Sequence, residues 1–377
     1  MNDFFVSVSD HLPRLNKSHK VFDVNEELPD QWTYPKPYPY PYPYPYPYPY
    51  PYPFLVNGCN HQPGRCRLVP GIDVGSEDIQ VLPNGLAFIT SGLGPKRPGK
   101  ILLFNFRKPW RGVRALDIIG DIDRVAFSPH GLNIWRDTNR NLIYLFVINH
   151  NGYTKETVEK FRFDEKTRKL YLLRTFTDDP TFVHINDLAV TGEDSFYFTN
   201  EYKSQPIMEF KRGLPLGNVA FYDGTKGHII LTDLFFPNGI ASSPDGKFVY
   251  LALMGEKRLN VYARRANNKL KLKQVIPLCS LVDNIDVDVA TGDLRVAGHG
   301  DPEMLMKYLT PPHTSISPSQ VFRLTTGDGG SRVTDVEEVY YNDGRQFSGS
   351  TVAVRYRRLM LIGSVHTNML LCFIRDA

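Results

Sequence analysis

The stretch Phe235-Phe236-Pro237-Asn238-Gly239-Ile240-Ala241-Ser242-Ser243-Pro244-Asp245-Gly246-Lys247-Phe248-Val249-Tyr250-Leu251 decides the fold. It opens on a polar Pro-Asn-Gly head, runs into a short strand, reverses at Pro244-Asp245-Gly246 and returns as a second strand. Proline presets φ in such a turn, and glycine accepts the reversed φ that follows. The unit recurs. Heads stand at Asn84-Gly85-Leu86, His130-Gly131-Leu132, Asn186-Asp187-Leu188, Asn238-Gly239-Ile240, Asn284-Ile285-Asp286 and Ser350-Thr351-Val352. Partner strands are expected over 142–149, 195–200, 247–253, 293–297 and 359–363. The heads are about 46 to 66 residues apart, which suits four-stranded propeller blades with loop insertions. Six copies predict an all-β chain folded as a six-bladed β-propeller over residues 54–377.

Composition agrees. The chain has 377 residues, 29 glycines and 29 prolines, and Tyr and Phe are frequent. No long amphipathic helical pattern stands out, so turn-rich β-structure is favoured. A net charge of +4 spread over scattered basic residues argues against nucleic acid as a partner. No window approaches ~18 uninterrupted apolar residues, so no membrane-spanning helix is expected. Met1-Asn2-Asp3-Phe4-Phe5-Val6 lacks the basic-then-apolar order of a signal peptide. Residues 1–33 are expected to be a weakly ordered extension, with one glycosylation triplet at Asn16-Lys17-Ser18. Residues 34–53 alternate Tyr and Pro. Proline removes every second N–H donor, so an extended polyproline-II-like linker is expected rather than a strand.

A propeller brings distant residues together. The inner strand of each blade starts at one face of the central channel, so Asn84, His130, Asn186, Asn238, Asp283/Asn284 and Ser350/Thr351 should converge there. His150 ends the strand that pairs with the His130 strand and should stand on the same face. Glu77 and Asp78 lie just before the first repeat strand. Carboxylates and amide carbonyls without thiols are the hard, flexible oxygen donors that Ca²⁺ takes. The alternative is that Asn and Asp simply favour strand-entry turns. His130 and His150 could serve as base and helper for a water, because imidazole titrates near neutral pH, or they could be rim histidines satisfied by backbone. Other motifs fail. Gly94-Pro95-Lys96-Arg97-Pro98-Gly99-Lys100 has phosphate-loop spacing, but Ile101 replaces the required hydroxyl residue and a strand follows. No Gly-x-Ser-x-Gly or His-Glu-x-x-His motif is present.

Several segments carry a specific resemblance. Cys66-Arg67-Leu68-Val69-Pro70-Gly71-Ile72, Gly75-Ser76-Glu77-Asp78, Leu82-Pro83-Asn84-Gly85-Leu86, Pro129-His130-Gly131, Val147-Ile148-Asn149-His150, Asn186-Asp187, Pro237-Asn238-Gly239-Ile240, Leu281-Val282-Asp283-Asn284 and Gly349-Ser350-Thr351-Val352 run in order from about Cys66 to Cys372. Together they resemble the paraoxonase/arylesterase family. The resemblance implies a propeller whose central channel holds two Ca²⁺ ions. The catalytic ion would take Glu77, Asn186, Asn238, Asp283 and Asn284. The structural ion would take Asp78, Asp187 and the carbonyl of Leu132. His130 matches the base, His150 its partner, Phe236 and Val365 the pocket wall, and Cys66 with Cys372 the family disulfide. The implied activity is hydrolysis of small-molecule lactones and aryl esters, and of phosphotriesters in some relatives. His130 would deprotonate a water and His150 would relay the proton. A non-catalytic, calcium-stabilised propeller that chaperones membrane proteins is the second reading.

Departures are visible too. The family's apolar N-terminal segment, used for secretion and lipid binding, has no counterpart here, so no membrane or lipid anchor is seen. The loop after Ser91-Gly92-Leu93 is short and rich in Pro and Lys. Gly298 replaces a free cysteine ahead of His299, and Cys59 and Cys279 are additional. The implied disulfide calls for an extracellular or ER-lumenal compartment. Nothing in the sequence fixes the oligomeric state.

Overall fold

The computed structural model describes residues 59–94 and 97–375. The extension 1–33, the Tyr-Pro segment 34–53 and Asn16 lie outside the described residues. Six antiparallel sheets follow one another along the chain as the blades of a propeller. Blade 1 is Ile79–Val81, Leu86–Ser91, Lys100–Asn105 and Val113–Ala115. Blade 2 is Pro129–Asp137, Leu142–Asn149, Thr157–Asp164 and Lys169–Phe176, with Asp117–Ile119 added in parallel at its outer edge. Blade 3 is Ile185–Val190, Phe196–Asn200, Gly217–Tyr222 and Gly227–Leu234. Blade 4 is Pro237–Ser242, Phe248–Leu253, Arg258–Arg264 and Leu270–Pro277. Blade 5 is Leu281–Val287, Leu294–His299, Ser319–Gly327 and Arg332–Asn342. Blade 6 joins Ser350–Tyr356, Leu359–Ser364 and Leu370–Phe373 to Cys66–Leu68 from the other end of the propeller sequence.

Successive side chains of a strand point to opposite faces, so every blade feeds two cores. Phe88 packs with Leu145 and Phe161 between blades 1 and 2, while its neighbours Ala87 and Ile89 pack with Val354 and Leu361 between blades 6 and 1. Equivalent layers lie between blades 2 and 3 around Phe146 and Phe196, and between 3 and 4 around Tyr197 and Leu251. The ring is completed between 4 and 5 around Tyr250 and Val296, and between 5 and 6 around Tyr340 and Ile362. The fully buried aromatic residues Phe88, Phe146, Phe196, Tyr197, Tyr250 and Tyr340 recur in these layers. Each layer is a sheet-on-sheet contact, and burying one such side chain is worth about 2–3 kcal/mol.

The expected partner strands agree to within two residues, but one head does not. Asn84 is exposed in the turn between the first two strands of blade 1, and its side chain donates to Glu165 at 2.9 Å. Ile79 pairs with Ile89, so the channel end of this hairpin is marked by Glu77-Asp78 and Asn84 lies at the far end. Pro-Asn-Gly at 83–85 is a turn, with Gly85 at φ +83° and its N–H on Leu82 O at 2.8 Å.

Two short helices were not expected from the sequence. Both enter after a second strand. Helix α1 is Pro206–Arg212, closed by Gly213 in the left-handed region. Helix α2 is Pro302–Leu309, capped by the Asp301 carboxylate on Met304 N–H.

Cys66 and Cys372 face each other in register and are disulfide-bonded across 306 residues. Cys59 and Cys279 are free and exposed. Cross-linking so long a loop removes denatured-state entropy worth about 3–5 kcal/mol. We expect Cys66→Ala/Cys372→Ala to lower the calorimetric Tm by about 5–15 °C. A fall under ~2 °C would show that blade 6 closes without the bond.

Candidate active site

The channel end of the inner strand in blades 2 to 6 carries a distortion that aims side chains inward. Register slips by one residue between Pro129 and Leu132, Ile185 and Leu188, Pro237 and Ile240, Val282 and Ile285, and Ser350 and Val352. A bulge sets two residues against one and re-aims them, so up to two consecutive positions of a blade face the axis. The first bulge position reads His130, Asn186, Asn238 and Asp283, and the second reads Gly131, Asp187, Gly239 and Asn284; in blade 6 Thr351 is the inserted residue, while Ser350 stays paired with Ser364 and bonds to Gly298 O of blade 5. Glu77 and Asp78 hold the equivalent places at blade 1. The glycines make room for their neighbours. A Cβ on Gly131 would stand 2.6 Å from Asn186 O, and one on Gly239 would stand 2.6 Å from Asp283 O.

Asp78 and Asp187 staple adjacent blades in the same way. Asp78 Oδ1 accepts Ile79 N–H and Oδ2 accepts Leu132 N–H of blade 2, both at 2.7 Å. Asp187 Oδ1 accepts Leu188 N–H and Oδ2 accepts Ile240 N–H of blade 4, again at 2.7 Å. Their own N–H groups are held at 3.0 Å by Thr90 Oγ1 and Thr199 Oγ1. Both pairs of carboxylate oxygens are therefore engaged. Burial first, and then in Asp78 the charges of Asp187 and Glu77, pushes its carboxyl well above the usual range. Burial raises Asp187 to about 8.

The other set differs. Asn284 Nδ2 donates to Glu77 Oε1 at 2.8 Å, joining blade 5 to blade 1. Glu77 Oε2 and the Oδ1 atoms of Asn186, Asn238 and Asn284 are buried without a hydrogen-bond partner among the described residues. Asp283 Oδ2 takes His299 Nε2 at 3.0 Å, and burial raises the Asp283 pKa. Buried oxygens left unpaired are costly, and four on one face fit a site that a hard cation would complete. Among the described residues, no group of three or more His, Cys, Asp or Glu could hold an ion by itself. The donor set depends instead on amide oxygens.

His130 Nδ1 lies 2.8 Å from His150 Nε2, as expected for residues on one face. His130 Nε2 lies 3.5 Å from Glu77 Oε1. Burial alone would depress the His130 pKa, but Glu77, with Glu201 and Asp283 farther off, outweighs it and raises it to about 9. His150 is fixed by its turn. Its N–H donates to Ser128 O at 3.1 Å, and the buried Asn149 side chain holds Ser128 N–H at 2.9 Å and Asn151 N–H at 3.0 Å.

Phe236 and Val365, the expected pocket wall, belong to one apolar cluster with Met254, Leu281, Leu305 and Tyr308. Leu305 and Tyr308 come from α2, and Phe210 of α1 packs against the same cluster. Leu93 of the short loop joins them, and Arg97 of that loop donates to Leu93 O at 3.3 Å and meets His366 Nδ1 at 3.2 Å. A Cβ on Gly298 would stand 2.6 Å from Ser280 Oγ, so the glycine allows close approach beside His299.

Three participants were not found from the sequence. They are His299 on Asp283, Glu201 beside Asn186, and Glu156 on His150 Nδ1 at 2.8 Å. Burial raises Glu201 to about 7. Glu201 directly follows the partner strand of blade 3, and hairpin return to the channel face, the rule that located His150, could have found it. The same rule reaches His299, which ends the partner strand of blade 5, whereas Glu156 carries no motif of its own.

Residues 60–374 match the arylesterase family. Mouse serum paraoxonase/arylesterase 1 is 38% identical over 322 residues, covering 81% of this chain and 88% of that protein. Human serum paraoxonase/lactonase 3 is 35% identical over 325 residues, covering 82% and 89%. Among solved structures, a gluconolactonase from Xanthomonas campestris superposes with TM-score 0.50 at 15% identity, covering 83% of this chain and 90% of that one. A calcium-binding regucalcin from Agrobacterium tumefaciens also gives 0.50, at 14% identity, covering 83% and 95%. These structural likenesses speak to the six-bladed fold alone. By the span of the family match and the identity to its serum relatives, the chain belongs to the arylesterase family.

Proposed function

We propose that the protein is a Ca²⁺-dependent hydrolase of lactones and aryl esters. Family membership supports hydrolysis of ester bonds in small molecules. The observation that carries the finer reading is the set of four unpartnered buried oxygens, on Glu77, Asn186, Asn238 and Asn284, on the channel face that holds the His130–His150 pair. With Asp283, these residues would hold the ion. Three of the five are neutral amides, so the site would remain electrophilic. When bound, the cation would polarise the ester carbonyl and stabilise the developing oxyanion.

The remaining chemistry falls to the chain. His130 Nε2 faces Glu77 and the reacting region, and takes the proton of an attacking water. A cation held by Glu77 and Asp283 would offset two of the three carboxylate charges that raise the His130 pKa, Glu201 being the third, and so favours the neutral base. His150 holds the Nδ1 side of His130 and shares the positive charge that forms. Phe236 and Val365 receive the apolar part of the substrate under the roof made by α1 and α2, which keeps bulk water out. A second ion between Asp78 and Asp187 is supported by charge: two buried carboxylates with raised pKa values lie beside Glu77. The disulfide fits an extracellular or ER-lumenal site of action.

Hydrolysis of phenyl acetate and a medium-chain lactone should require Ca²⁺, with paraoxon as a third substrate. Chelation by EDTA should abolish activity and lower the Tm. Full lactonase activity in metal-free buffer would remove the calcium reading, and no hydrolysis under any condition would favour a propeller that only binds partners. Asn238→Ala should reduce kcat at least ~100-fold with a Tm change under about 3 °C. Asp78→Ala strands two buried N–H groups and should cost about 2–5 kcal/mol of stability. Equal losses of turnover and stability in both variants would refute the division of roles.

A further inference from the structure

The mechanism above leaves Glu156 unused. It sits at the end of the turn that carries His150, just before the Thr157–Asp164 strand. Its Oε2 lies 2.8 Å and its Oε1 3.0 Å from His150 Nδ1. Oε2 also accepts Ile185 N–H of blade 3 at 3.3 Å. Its side chain is only 14% exposed. The other charged and titratable groups nearby do not displace it: Lys155 is paired with Asp178 at 2.8 Å, and His184 stacks on Tyr202. On its outer side Glu156 borders a cavity of about 330 Å³ lined also by Tyr153, Asp179, Phe182 and His184.

We infer that Glu156 is a positioning residue that fixes which nitrogen of His130 acts as the base, completing a Glu156–His150–His130 chain. The inference rests on His130 being the base. An ionised carboxylate only accepts hydrogen bonds, so His150 carries its proton on Nδ1. Its Nε2 is then an acceptor, and the 2.8 Å contact with His130 requires the proton of His130 on Nδ1. In the neutral imidazole that leaves the lone pair of His130 on Nε2, the nitrogen that faces Glu77. The step balances without a further reactant. Water oxygen bonds to the acyl carbon as its proton passes to His130 Nε2. The ester C–O bond then breaks, and the same proton passes to the leaving oxygen. The Glu156 charge stabilises the imidazolium that exists between the two transfers, through His150, without touching substrate.

The test uses the Ca²⁺-loaded full chain with phenyl acetate and a lactone. Glu156→Gln keeps an acceptor for His150 and Ile185 but removes the charge. We expect kcat to fall about 10- to 100-fold with KM within about twofold and an unchanged Tm. Glu156→Asp should recover part of the loss. In Glu156→Ala, added formate should restore activity, because the adjoining cavity admits a small carboxylate. In the metal-free wild type, the His150 Nδ1 proton should give a downfield NMR signal that Glu156→Gln lacks. Wild-type kcat in Glu156→Gln overturns the inference. So does a Glu156→Ala whose loss formate does not relieve while its Tm falls, which marks a purely structural role. His130→Gln separates the two readings. If it stays active, the base assignment itself fails; if it is inactive while Glu156→Gln is fully active, only the Glu156 chain fails.

Discussion

Buried negative charge at the channel mouth is the constraint on which the rest of this structure depends. Glu77, Asp78, Asp187 and Asp283 are all at most 6% exposed and come from three different blades. Carboxylates withdrawn from water are expensive unless paired, hydrogen-bonded or bound to a cation. The chain uses more than one of these remedies. Asp78 and Asp187 each give one oxygen to a backbone N–H of their own blade and the other to one of the next, so charge that would push the ring apart also ties it together. Glu77 and Asp283 meet imidazoles. Asn186, Asn238 and Asn284 add neutral oxygens that no group among the described residues satisfies.

The architecture exists to hold this arrangement. Each inner strand would normally send alternate residues into the two flanking cores, leaving one side chain in two for any site. The bulges break that alternation at the channel end and nowhere else along the inner strands. The channel-end positions of these five strands, polar residues or glycines, thus reach the axis, while the rest of each strand is mostly apolar. The interblade layers supply the stability that offsets the buried charge, and the Cys66–Cys372 bond seals the one blade built from both ends of the propeller.

The repeat was legible because hairpins with polar heads have a local signature. Asn84 shows its limit. A Pro-Asn-Gly tripeptide marks a turn equally well at either end of a hairpin, and a period-2 strand reads the same in both directions. Only the pairing of Ile79 with Ile89 places Asn84 on the far side and Glu77-Asp78 at the channel. Phe236 and Val365 are 129 positions apart in sequence yet share one apolar cluster; the resemblance paired them, and α1 and α2, which roof that cluster, were not foreseen at all.

By itself the sequence determined the propeller and its blade count, and it pointed to the heads of five blades and to a set of oxygen donors among them. Those depend on residue type and spacing within one hairpin at a time. Tertiary structure alone decided which oxygens are left free. Whether a carboxylate is satisfied depends on N–H groups of the next blade, more than fifty residues away, as Asp78 depends on Leu132 and Asp187 on Ile240. It also decided that Glu156 meets His150. A six-residue spacing on an irregular turn has no period to read, and only the folded turn brings carboxylate to imidazole.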